Sequence, residues 1–119
     1  MTGSESILVV EDDPFLSLHM EAILQEAGFE AVDVVHSVED AMEAVERVPV
    51  ALAILDVNLR GDYVFPVAER LKAREIPFTF VSAYANDTAI FPEHLRGAPR
   101  HVKPVNEHAL VETVRSLLS

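Results

Sequence analysis

Ala51-Leu52-Ala53-Ile54-Leu55 is an unbroken apolar run that stops on a carboxylate, Asp56. Apolar residues without polar alternation suit a strand covered on both faces, as in a parallel sheet flanked by helices. Toward the N-terminus, Ser37 with Asp40 reads as a capping box, and Ala41, Ala44, Val45 and Val48 form the stripe of a helix. Glu30 to Val35 reads as a strand with Val32 and Val34 on one face. Before it, Leu16, Met20, Ile23, Leu24 and Ala27 share one helical face. Asp13 is placed to cap that helix, Pro14 to start it and Gly28 to end it. Ile7 to Val10 is a first short strand. Toward the C-terminus, Asn58 to Tyr63 reads as a loop around Gly61. Val64, Val67, Ala68 and Leu71 mark a third helix, with Pro77 beyond its end. Phe78 to Ser82 is a fourth strand, and Ala83 to Ala98 has room for one short helix. Arg100 to Val102 is a fifth strand, and Asn106 caps a last helix with the stripe Leu110, Val114, Leu117 and Leu118. Alternating strands and helices imply an α/β fold, a parallel sheet with helices on both faces.

The 119 residues fit one domain, residues 1–119, with no internal repeat or linker. There is no cysteine, which excludes disulfides and thiolate metal sites. Met1 to Ser6 is short and polar, unlike a signal peptide, and Val48 to Leu59 is too short and too interrupted to span a bilayer. A cytoplasmic location is the expectation. Twenty acidic against nine basic residues give a net charge of −11, which disfavours nucleic acid and acidic membranes as partners.

Open parallel sheets build their sites at the carboxyl ends of strands. Here those ends carry Glu11-Asp12-Asp13, Asp56, Ser82 and, after the fifth strand, Lys103-Pro104. Asp13 before Pro14 reads as a helix cap and is left out of the ligand set. Taken singly, Glu11 and Asp12 would be a solvated turn and Lys103 a surface lysine. Together, Glu11, Asp12 and Asp56 would repel one another by several kcal/mol per pair unless a cation sat among them. Oxygen-only ligands with open positions suit Mg²⁺, and Lys103 and Ser82 add a point charge and a hydroxyl donor. These are the parts that position and neutralise a transferring phosphoryl group. The five histidines, His19, His36, His94, His101 and His108, show no ligand spacing and read as surface residues.

Val9-Val10-Glu11-Asp12-Asp13, Leu55-Asp56-Val57-Asn58-Leu59, Val81-Ser82-Ala83 and Lys103-Pro104, in that order, resemble the signature set of response-regulator receiver domains. The resemblance covers essentially the whole chain and implies a flavodoxin-like (βα)5 fold with strand order 2-1-3-4-5. It makes Asp56 the phosphoacceptor. Mg²⁺ would be held by Asp12 directly, by Glu11 through water, by Asp56 and by the main-chain carbonyl of Asn58. Ser82 and Lys103 would bind the phosphoryl group, and Pro104 would shape the bond before it, often cis in this family. The implied partners are a sensor histidine kinase or histidine phosphotransfer protein and a downstream protein target. Asn58 and Tyr84, two residues beyond Asp56 and Ser82, are expected to tune hydrolysis of the acyl phosphate. Phe80-Val81-Ser82-Ala83-Tyr84 is similar to the Phe-Ala-Thr-Gly-containing motif of a subgroup of single-domain receivers from alphaproteobacteria.

The chain departs from the family at Arg100, which stands where receivers carry an aromatic switch residue, and in a Gly97–Lys103 segment one residue short. That departure keeps a degenerate receiver acting only as an interaction module as an alternative, beside a receiver fragment of a hybrid kinase. A Mg²⁺-dependent phosphohydrolase is disfavoured, because Asp56-Val57-Asn58 lacks the second aspartate such enzymes use as acid and base.

Overall fold

The computed structural model describes residues 5–83 and 88–119. Its elements run β1 (Ser6–Val10), α1 (Pro14–Glu26), β2 (Val32–Val35), α2 (Val38–Arg47) and β3 (Val50–Asp56). Then come the two-residue strands β4 (Asn58–Leu59) and β5 (Asp62–Tyr63), α3 (Phe65–Ala73), β6 (Phe78–Ser82), β7 (Arg100–Val102) and α4 (Glu107–Leu118). Five strands form one parallel sheet of order β2-β1-β3-β6-β7. Counted along the main sheet alone, this is the 2-1-3-4-5 order of the flavodoxin-like fold.

Alternation along the buried strands supplies two cores. Leu8, Val10, Ala53, Leu55 and Phe80 face α2 and α3, meeting Ala41, Val45, Val67, Ala68 and Leu71. Ile7, Val9, Leu52, Ile54 and Val81 face α1 and α4, meeting Met20, Leu24, Leu110 and Val114. Each of the larger side chains, the Val, Leu, Ile, Met and Phe, contributes roughly 1.5–3 kcal/mol on burial. That is why β3 contains no polar residue before Asp56.

The helix ends follow local chemistry. Asp13 Oδ1 accepts from the Phe15 and Leu16 amides, and Ser37 Oγ from the Asp40 amide. At the end of α1, Gly28 (φ 100°) closes a Schellman turn, with Phe29 N donating to Leu24 O and Gly28 N to Gln25 O. The same turn ends α3, through Ile76 N to Leu71 O and Glu75 N to Lys72 O. There a glutamate, Glu75, holds φ 59°.

Two readings of the sequence change. The stretch expected to be a loop, Asn58 to Tyr63, is an antiparallel hairpin pairing Asn58 with Tyr63 and Leu59 with Asp62. Its two-residue turn, Arg60-Gly61, has positive φ at both positions, as primed hairpin turns require. Between β6 and β7 the described residues form two short 3₁₀ segments, Thr88–Ile90 and Glu93–Leu95, instead of an α-helix. Pro92 lies between them in an extended conformation and lacks the amide that a continuing helix needs. Phe91 and Leu95 still bury against the sheet.

Candidate functional site

β1 stops at Val10, so Glu11 and Asp12 leave the sheet at its carboxyl edge. The Glu11 amide donates to Val35 O (3.1 Å), and its carbonyl accepts from His36 Nδ1 (2.8 Å), which fixes the backbone there. Asp13 then turns the chain into α1. Asp56 is the last residue of β3, and the following Val57 amide donates to Val81 O. Beyond β7, the Lys103 amide donates to Ser82 O (2.9 Å), which ties the lysine to the end of β6. The Lys103–Pro104 peptide bond is cis.

This geometry brings Glu11, Asp12 and Asp56 together, with one carboxylate oxygen of each within 4.8 Å of the others. Lys103 Nζ lies 3.0 Å from Glu11 Oε1 and 3.2 Å from Asp56 Oδ2. Glu11 is fully buried and Asp56 nearly so. Burial pushes the Glu11 carboxyl up to about 8; Asp56 adds to this by hydrogen bond and charge, and Lys103 opposes it. Burial works against the Lys103 charge as well, but Glu11 and Asp56 outweigh it and hold the ammonium above its ordinary range. Among the described residues, Glu11 Oε1 is buried without an aligned hydrogen-bond donor, its contact with Lys103 being ionic. Three carboxylates, one of them with an orphaned oxygen, against one half-buried lysine form a donor set that fits a hard divalent cation.

Asp56, Ser82 and Lys103 line one cleft of about 450 Å³, together with Asn58, Tyr63 and Ile90. The Asn58 side chain accepts from the Gly61 amide (2.7 Å), bracing the hairpin beside Asp56. Tyr84 lies outside the described residues. Arg100 does not line the cleft: its guanidinium sits over the Phe91 ring, 4.7 Å from the centroid.

Several neighbours of the site were not expected from the sequence. Arg60 Nε approaches Asp12 Oδ2 at 3.5 Å, and Tyr63 forms part of the cleft wall. The signal for both was the Arg60-Gly61 pair, whose turn propensity places the hairpin. His101 is half-buried and bonds Thr113 Oγ1 (2.9 Å), which corrects its reading as a surface residue. The packing of α4 across β7 covers it.

With this geometry in view, residues 7–115 match the family model described as the response regulator receiver domain. The chain belongs to the receiver domain family. The receiver is 34% identical to SdrG from Sphingomonas melonis Fr1, each covering 100% of the other, with a TM-score of 0.80. A BeF3-activated conformation of SdrG is also known, at 35% identity. A sensor protein from Polaromonas sp. JS666 is 28% identical, with a TM-score of 0.83 over 96% of this receiver and 95% of that chain. Among curated proteins, the transcriptional activator protein IrlR of Burkholderia pseudomallei is 37% identical over 94% of the chain. The receiver spans only 49% of IrlR and 32% of the sensory transduction protein LytR of Staphylococcus haemolyticus. The match does not single out the Phe-Ala-Thr-Gly subgroup. No helix among the described residues is long and apolar enough to cross a membrane.

Proposed function

We propose that residues 1–119 are one receiver domain in which Asp56 accepts a phosphoryl group from the phosphohistidine of a sensor histidine kinase or histidine phosphotransfer protein. One observation carries this reading: a nearly buried Asp56 shares a cleft with Lys103 and Ser82 and a carboxylate cluster with Glu11 and Asp12. In the transfer, an Asp56 carboxylate oxygen bonds to phosphorus as the phosphorus–nitrogen bond of the donor breaks. Water later cleaves the acyl phosphate. Lys103 meets the negative charge that gathers on the phosphoryl oxygens, and the Ser82 hydroxyl is their hydrogen-bonding partner. Mg²⁺ would be held by Glu11, Asp12, Asp56 and the Asn58 carbonyl; when bound, it neutralises charge on the attacking and transferring oxygens. Asn58 and Tyr84 are proposed to tune hydrolysis.

The chain is thus a signalling regulator with self-catalysed phosphotransfer and autodephosphorylation, rather than a turnover enzyme. Its net charge of −11 favours a downstream protein target over nucleic acid or an acidic membrane, and a cytoplasmic location is proposed. The BeF3-activated form of the relative SdrG supports an acyl-phosphate mimic as a probe. Arg100 at the switch position favours a second reading, an interaction module that is never phosphorylated. Incubation with acetyl phosphate or a phosphorylated kinase, with Asp56→Asn as control, separates the two. Acid-stable, hydroxylamine-sensitive label on wild type alone is expected; label on neither protein would establish the module.

A further inference from the structure

Arg100 Nη1 occupies a position with attraction but no hydrogen-bond acceptor among the described residues. Its guanidinium lies over the face of Phe91, a fully buried ring, and Nη1 is buried with no hydrogen-bond partner among the described residues. A cation is attracted to an aromatic face. The ring nevertheless offers no lone pair in line with an N–H, and a buried donor without an acceptor is disfavoured.

The register shows where an acceptor could appear. Arg100 is paired with Phe80, and Val102 with Ser82. Residues two apart share a face, so Arg100 leaves the sheet on the same side as Ser82, which lines the cleft. Ser82 lies two residues further along, roughly 7 Å at strand rise, a distance an arginine side chain spans. Ile90, the neighbour of Phe91, forms part of the cleft wall. The other cations nearby are committed: Lys103 bridges Glu11 and Asp56, and Arg60 faces Asp12. A phosphoryl group on Asp56 would bring further negative charge and three acceptor oxygens into the cleft, a match for a planar guanidinium.

We infer that Arg100 is a latent phosphoryl ligand, resting on Phe91 while Asp56 is free and moving into the cleft to bind the phosphoryl oxygens once Asp56 is modified. The inference rests on the reading of Asp56 as phosphoacceptor. It assigns the strand position opposite Phe80 a direct role in holding the phosphoryl group.

The test uses the full chain with Mg²⁺ and beryllofluoride. In wild type, the Arg100 Nε–Hε NMR signal is expected to shift and sharpen at saturation, a readout that needs no variant. Arg100→Met should weaken beryllofluoride binding roughly ten-fold or more, as expected for loss of a charge-assisted hydrogen bond. Arg100→Lys should keep part of the affinity, and Mg²⁺ binding without beryllofluoride should be equal in all three proteins. An Arg100 signal that stays in place while wild type binds beryllofluoride overturns this inference alone, as does Arg100→Met binding within two-fold of wild type. Wild type that binds no beryllofluoride overturns the phosphoacceptor reading and this inference with it.

Discussion

Below pH 6.5, His101 in the unfolded chain takes up a proton that the folded chain resists, because burial disfavours the imidazolium beside Thr113. The unfolded state then binds more protons, so this residue's contribution to stability is lost progressively as pH falls from 6.5 toward the lower folded-state value. His101→Gln keeps a polar partner for Thr113 and does not titrate. Urea midpoints should therefore fall more for wild type than for His101→Gln between about pH 7.5 and about pH 5.5. Parallel curves would show that burial does not shift this histidine. At Lys103 the expected outcome is kinetic. Lys103→Met removes the ammonium 3.2 Å from Asp56, and phosphorylation by a small-molecule donor should slow at least ten-fold with the fold intact by circular dichroism. Asp56 could be picked out from sequence because a carboxylate closing an apolar strand has no structural reason to be there. His101 could not, because the residue that covers it, Thr113, lies in another element.

Among the elements, the two helix ends with contrasting chemistry give opposite predictions. Asp13→Ala removes the acceptor for the Phe15 and Leu16 amides and should cost about 0.5–2 kcal/mol by denaturant titration. Glu75 holds a left-handed conformation that glycine adopts freely, so Glu75→Gly should stabilise by roughly 1 kcal/mol. Equal or lower stability would mean that the Glu75 side chain contributes more than its backbone costs. Capping made α1, α2 and α4 readable, since Asp13, Ser37 and Asn106 each stand one residue before a helix. The third helix, α3, has no side-chain cap and was readable from the spacing of Val64, Val67, Ala68 and Leu71 alone. The β4–β5 hairpin was missed because a two-residue strand spans a single alternation and cannot repeat it. The two 3₁₀ segments were missed because three residues give no helical stripe, although Pro92 marked the break.

For the molecule as a whole, the acidic cluster links metal binding to folding. An ion that binds the native cluster and not the unfolded chain stabilises by about 2.7 kcal/mol at one hundred times its dissociation constant. Millimolar Mg²⁺ should therefore raise the melting temperature of wild type and raise that of Asp12→Ala much less. An unchanged wild-type melt would exclude Mg²⁺ from the cluster. The parallel order of the sheet has a further consequence. Glu11 enters from the first strand of the sheet and Lys103 only after the last, yet the two side chains touch. A nascent chain still on the ribosome and lacking Lys103 would hold three acidic groups without their lysine. Such a truncated product is predicted to be unreactive toward phosphodonors, the complete cluster forming only once the chain has passed Lys103.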